Sequence, residues 1–210
     1  MKSNKNFFCH INKINYLINN IYIIKNISFS ISDKPITIIS GPNGIGKTTL
    51  LKILAGIIKP TSGTIKYQSD YSNQEKSFLF QNSIFFNRTL LENMKYIKKI
   101  KKLNSDFDIE LEKNLRIFNF FHLLERYPSE LSGGELQIFS FIRTLLQNPK
   151  ILFLDEPFQN LDDNHKKMIE AIIENISHTC KIIMISHDHS ILPKSSIENF
   201  KFNNDCINQV

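Results

Sequence analysis

Nowhere in the 210 residues does an apolar run approach the roughly 18 residues that a bilayer-crossing helix requires. The chain also lacks an apolar signal core at its start. Met1 to Cys9 is polar and rich in asparagine, where a secretory leader would need consecutive apolar residues. The two absences predict a cytoplasmic protein. Cysteine is scarce too. Cys9, Cys180 and Cys206 are odd in number, far apart and without a CxxC pair, which argues against a disulfide framework and against a zinc site. No internal repeat and no Pro/Gly/Ser-rich linker divides the chain, so one unit is expected.

What is present is a globular composition. Apolar residues make up 41%, enough to build a sizeable core. The net charge of +6 invites a nucleic-acid reading. Asparagine, isoleucine and lysine are abundant together, however, as AT-rich coding would produce, and no nucleic-acid partner is expected. The densest basic run, Lys95 to Lys102, is interleaved with Tyr96, Ile97, Ile100 and Leu103. That spacing predicts a half-buried helix with a solvated basic face.

The periodicities predict alternating elements. Residues 21–31 and 36–40 read as strands, 48–54 as a helix closed by Gly56 and Pro60, and 63–67 and 77–80 as short strands. Residues 89–128 read as mostly helical and 135–147 as a further helix stopped near Pro149. Residues 150–154, 164–177 and 181–185 read as strand, helix and strand. Strands alternating with helices imply a mostly parallel sheet covered on both faces. The long helical block interrupts that alternation and is expected to form a helical subdomain.

Gly41-Pro42-Asn43-Gly44-Ile45-Gly46-Lys47-Thr48 fits G-x-x-x-x-G-K-[ST] between a buried strand and a helix, the context this phosphate-binding loop requires. Its glycines let the backbone curl so that N–H groups point at phosphate oxygens, and the following helix offers its positive end to the same anion. Lys47 supplies a cation between the β- and γ-phosphates, and Thr48 a hydroxyl ligand for Mg²⁺. Thr49 follows in the same helix turn.

Ile151 to Leu154 run into two adjacent acids, Asp155 and Glu156. The first acid at such a strand end holds Mg²⁺ through water in P-loop enzymes, which assigns Asp155. Glu156 then lies near the γ-phosphate and can accept a proton from the attacking water. His187 follows the strand 181–185 on the ligand side of the expected sheet. His187 and His189 flank Asp188, a weak metal signal without further ligands.

A second anion-receptive helix start stands at Leu131-Ser132-Gly133-Gly134-Glu135, followed by Gln137. On these residues the chain resembles the ABC (ATP-binding cassette) ATPase family, whose signature loop reads LSGGQ. The resemblance extends over essentially the whole chain. Gln81 is similar to the family's Q-loop glutamine, Asn160-Leu161-Asp162 to its D-loop, His187 to its switch histidine and Arg143 to an arginine usual after the signature. An aromatic that stacks on adenine is expected near the first strand, with Tyr16 chosen and Tyr22 next.

The resemblance implies an α/β fold. A P-loop NTPase core of about 1–81 and 151–210 carries an N-terminal antiparallel β part and an inserted α-helical subdomain of about 82–150. It implies ATP and Mg²⁺ as cofactors, with Gln81 contributing to the metal and to catalysis beside Glu156 and His187. It implies a homodimer, or a heterodimer with a second cassette, in which Ser132, Gly133 and Gly134 of one subunit contact the γ-phosphate held by the other. Integral-membrane transporter subunits are the implied partners, at the inner face of the cell membrane, with no direct binding of the transported substrate. Ile84-Phe85-Phe86 is the expected exposed patch that meets them. The rivals are a soluble assembly ATPase of the iron–sulfur type and a P-loop kinase or GTPase, the latter disfavoured by LSGGE and Gln81. Two departures from the family pattern stand out: Glu135 replaces the common glutamine, and Gln159-Asn160 replace the common Ser-Ala before Leu161-Asp162.

Overall fold

The computed structural model describes residues 7–103, 106–186, 196–203 and 206–210. The chain opens on two long strands, β1 (Phe7–Ile18) and β2 (Ile21–Ser32), joined by a tight turn at Asn19 and Asn20. Both asparagines have positive φ, as such a hairpin turn requires. β3 (Ile36–Ser40) leads into α1 (Lys47–Ala55), and β4 (Ser62–Tyr67) and β5 (Lys76–Leu79) follow. Three helices come next: α2 (Leu90–Lys101), α3 (Asp106–Phe118) and α4 (Gly133–Leu145). Then come β6 (Ile151–Asp155), α5 (Asp163–Ile176), β7 (Lys181–Ile185), β8 (Ile197–Asn203) and β9 (Cys206–Gln209).

The strands form two sheets. One is antiparallel, in the order β2-β1-β4; the other has six strands in the order β5-β6-β7-β3-β8-β9. In the larger sheet every pair is parallel except β8 with β9. Its central strands are largely apolar because both faces are covered. Alternation along them still sorts the side chains. Ile36, Ile38, Leu152, Leu154, Ile182 and Met184 face one core, with α2 to α5. Ile39, Ile151, Phe153, Ile183 and Ile185 face the other, with α1 and the antiparallel sheet.

The outcome for 7–18 differs from the sequence reading, which assigned no strand there. Phe8, Cys9, Ile11 and Ile14 are all buried, but the period of two slips at register shifts between Ile11 and Ile14 and again before Tyr16. Lys13 and Asn26 take positive φ at these irregularities, so the bulges break the pattern that a strand is read from. β8 and β9 were likewise unread, being short and rich in asparagine.

The block read as mostly helical over 89–128 divides into two helices, α2 ending at Lys101 and α3 at Phe118, and residues 119–132 hold two short 3₁₀ turns. Asn119, at φ 56°, ends α3. α2 begins at a capping box in which Thr89 and Glu92 bond each other's backbone N–H groups. It buries Leu90, Asn93 and Met94, while Lys95, Lys99 and Ile100 are exposed. Among the described residues no helix is long and apolar enough to cross a membrane.

Phe153 is fully buried at the centre of the second core, its ring stacked 6.2 Å from that of Phe78. Phe153→Ala is expected to cost about 3–5 kcal/mol in urea denaturation through lost contacts and a residual cavity. Ile109→Ala, at a side chain 66% exposed, is expected to change stability by less than about 0.5 kcal/mol.

Candidate functional site

The phosphate loop spans the gap between the end of β3 and α1. Two of its glycines are there for close approach. A Cβ on Gly46 would lie 2.9 Å from the carbonyl oxygen of Ile23, and one on Gly41 would overlap the carbonyl of Phe202; both residues also have positive φ. The loop is therefore clamped between β2 on one side and β8 on the other. Pro42, Asn43 and Gly44 are exposed at its crest, whereas Ile45, Gly46, Thr48 and Thr49 are half-buried and Lys47 is buried.

Lys47 folds back over its own loop. Its Nζ donates to the carbonyl oxygens of Gly41 at 2.7 Å and Pro42 at 2.9 Å. Burial lowers its pKa, and the negative charges of Glu156 and Asp155 oppose that shift. An ammonium held by carbonyls at the mouth of a ring of backbone amides is placed to meet an anion entering there.

Thr48 Oγ1 donates to Asp155 Oδ1 at 3.1 Å, joining the first turn of α1 to the end of β6. Asp155 is 1% exposed. Burial raises its pKa, with the Thr48 bond and the cations of Lys52 and Lys47 pulling the other way. Its Oδ2 is buried without a hydrogen-bond partner. A buried hard oxygen left open beside a threonine hydroxyl is the donor chemistry that a magnesium ion takes. The pair thus fits the ion that the sequence reading assigned to Thr48 and Asp155.

Glu156 follows Asp155 with φ 52° and donates its N–H to the carbonyl of Ile185 at the end of β7. A cleft of about 300 Å³ is lined by Asn43, Gln81, Glu156, Phe158, Gln159, Lys166 and Ser186. The phosphate loop, the exposed Gln81 and Glu156 meet in it. Ser186 marks where β7 enters the same cleft. His187, expected to join this group, and the His187-Asp188-His189 signal lie outside the described residues.

The signature segment is elsewhere. Ser132, Gly133 and Gly134 open α4 and line a separate cleft of about 490 Å³ with Asn160, Leu161, Asp162 and His165. The departure at Glu135 has a structural reason. Its Oε2 accepts from the N–H and Oγ of Ser132 at 2.7 and 2.8 Å, while Ser132 Oγ accepts from the Glu135 N–H. This is a capping box, which a carboxylate closes as well as a carboxamide, and these bonds lower the Glu135 pKa. The departure at Asn160 has one too: φ there is 63°, a conformation that asparagine tolerates better than most residues.

Tyr16 is half-buried on β1 opposite Ile24, and Ile24 in turn packs near Gly46. Tyr22, at the hairpin end, is 51% exposed beneath Lys25. The expected exposed patch needs revision at one position. Ile84 and Phe86 are exposed, but Phe85 is half-buried with Arg143 stacked 4.3 Å over its ring. Arg143 also donates to the carbonyl of Ile84 at 2.8 Å, so the arginine noted only for its position holds the segment after Gln81.

Sequence reading missed what Gln137 does. It was noted as part of the signature, yet its Nε2 donates to the carbonyls of Glu156 and Pro157 at 3.2 and 3.3 Å. A glutamine within a largely apolar helical run was the available signal. Asp162 was noted only within the D-loop. It caps α5 by accepting from the backbone N–H of His165, whose Nδ1 is 2.7 Å from its other oxygen.

A loop of backbone amides and a buried lysine at the carboxyl ends of parallel strands, with paired acids across one strand, define a P-loop nucleotide-binding domain. Residues 24–159 match the family described as ABC transporter. The chain belongs to that family, and its nucleotide is ATP. It is 33% identical to a lipoprotein-releasing system ATP-binding protein of Buchnera aphidicola over 201 residues, covering 88% of each chain. It is also 33% identical to a sulfate/thiosulfate import ATP-binding protein of Mesostigma viride over 210 residues, covering 95% of this chain and 60% of that one. A molybdate/tungstate import ATP-binding protein of Methanocaldococcus jannaschii is 37% identical over 173 residues, with 58% of its length covered. The chain thus spans about 60% of the length of these two import proteins. The solved structure of an ATP-binding subunit of an ABC transporter shares the fold with TM-score 0.84 at 17% identity, covering 97% of this chain and 90% of that one.

A Cβ on Gly134 would lie 2.8 Å from the carbonyl oxygen of Asn160. Gly134→Ala is expected to destabilise the domain by about 1–3 kcal/mol through overpacking against backbone, read by urea denaturation. Gly44→Ala has nothing within 4 Å of its Cβ, so any cost there comes from its positive φ alone.

Proposed function

We propose that this chain is the ATP-hydrolysing subunit that energises substrate translocation by an ABC transporter. The observation that carries the reading is the convergence of the phosphate loop, Gln81 and Glu156 on one cleft beside the Thr48–Asp155 pair. The loop amides from Gly41 to Gly46, the α1 N-terminus and Lys47 bind the β- and γ-phosphates. Thr48, Asp155 and Gln81 hold Mg²⁺, which when bound neutralises charge on the phosphate oxygens. Glu156 accepts the proton of the attacking water, with Gln81 and His187 orienting it. Tyr16 stacks on the adenine.

Ser132, Gly133 and Gly134 serve the ATP of a second subunit. Their distance from the phosphate loop's own cleft supports this, since the second anion-receptive helix end has no phosphate in its own chain to meet. ATP then bridges two cassettes, homomeric or heteromeric. It favours the closed dimer through contacts that the open one lacks. Residues 82–150 act as a helical subdomain that moves with the γ-phosphate through Gln81. The exposed Ile84 and Phe86 dock the integral-membrane subunit, so the chain works at the inner face of the cell membrane. The transported substrate is bound by the membrane subunit.

Glu156→Gln is expected to lower turnover at least about 100-fold, the scale of a lost general base, while nucleotide affinity stays within a fewfold. With ATP it is expected to accumulate a dimer in size-exclusion chromatography. Turnover near wild type would remove Glu156 from the role. Ile84→Ser with Phe86→Ser is expected to abolish co-purification of a polytopic membrane protein in mild detergent while nucleotide binding persists. Undiminished co-purification would move the docking surface elsewhere.

A further inference from the structure

Glu156 has φ 52°, a conformation that a residue with a Cβ rarely adopts. It also precedes Pro157, whose ring disfavours the right-handed helical alternative. Such a backbone persists where the surroundings over-determine it. β7 holds it from one side, through the bond from Glu156 N–H to the Ile185 carbonyl at 3.2 Å. From the other side its carbonyl accepts from the N–H of Gln159 at 3.2 Å and from Nε2 of Gln137 at 3.2 Å. The same Gln137 nitrogen reaches the Pro157 carbonyl at 3.3 Å. Gln137 is 5% exposed, so water does not compete for these bonds.

The far end of the loop is fitted to the same helix. Asn160, the next residue after Glu156 at positive φ, has its carbonyl against Gly134 and its side chain against Gly133. Both strained positions of the 156–160 loop are thus templated by the first turns of α4. Those turns also carry the anion-receptive Ser132.

We propose that Gln137 is a positioning residue for Glu156, fixing the peptide behind the base and tying it to the signature end of α4. The inference rests on the reading of Glu156 as proton acceptor given above. Gln137 carries no proton to transfer and is buried behind the Glu156 and Pro157 carbonyls that it bonds, so its contribution is to geometry. Its removal slows the chemical step and spares binding. In a dimer, Ser132–Gly134 serve one ATP and Glu156 serves the other. Gln137 then makes occupancy of one site felt at the base of the second.

The test compares the full-length wild type, Gln137→Met, Gln137→Asn, Glu156→Gln and the double variant Gln137→Met/Glu156→Gln. Methionine keeps the length of the side chain and loses the donor; asparagine keeps a carboxamide but withdraws it by one methylene. Both single Gln137 variants are expected to lower kcat about 10- to 100-fold, the cost of misplacing a reacting group, with the ATP Kd changed less than about threefold. In the double variant the Gln137 change is expected to lower the residual turnover by less than about twofold, because residues acting as a unit are strongly non-additive. The proposal is overturned if either Gln137 variant binds ATP and turns over like wild type while Glu156→Gln is inactive. It is also overturned if the full loss recurs in the Glu156→Gln background, which would be a general structural defect. Wild-type turnover by Glu156→Gln itself would instead bring down the base assignment on which the proposal stands.

Discussion

The bond from Thr48 to Asp155 is the constraint on which the site depends. β3 and β6 are not neighbours in the sheet; β7 lies between them. A hydroxyl at the start of α1 must therefore reach across the end of β7 to meet a carboxylate at the end of β6. That reach is possible only because parallel strands put all their carboxyl ends on one edge. The N–H of Glu156, donated to Ile185, closes the same span one residue further on. Loop, strand end and Glu156 are in this way fixed relative to one another.

Burial on both faces of the larger sheet keeps those strand ends rigid. One core contains the even-numbered apolar residues of β6 and β7 with the long helices, and the other contains the odd-numbered residues with α1 and the antiparallel sheet. A one-residue slip of a single strand would carry each set of side chains into the opposite core, where it does not fit, so register is fixed. The loops of the candidate site begin just beyond this frame, where the chain leaves the strands: Gly41 after β3, Glu156 after β6, Ser186 after β7.

Against that rigidity, α4 is the element that connects functions. Its N-terminal turn carries the signature serine and glycines, its first buried polar side chain grips the Glu156 peptide, and Arg143 in its last turn holds the Ile84 carbonyl and covers Phe85. One helix therefore touches the Glu156 peptide, the D-loop and the segment beside the proposed membrane contact. A displacement of this helix would move all three together, a physical route from the proposed hydrolysis to the proposed partner.

Much of this was legible in the residues. The phosphate loop is written in consecutive positions whose backbone and side-chain roles are local, so a motif suffices to find it. The buried strands 36–40, 151–155 and 181–185 announce themselves by short, largely apolar runs. β1 did not, because its bulges break the alternation, and the 3₁₀ turns of 119–132 did not, because their geometry is set by packing rather than by propensity. What the residues determined alone was the set of groups available: a phosphate-loop motif, a threonine and an aspartate suited to a hard cation, a second carboxylate proposed as the base, and a second helix end open to anions. Tertiary structure alone decided which of these meet. Gln81 and Glu156 share a cleft with Asn43, the signature stands apart from it, and Phe85 lies under Arg143. Those relations come from sheet order and from contacts between residues far apart in the chain, which no local pattern encodes.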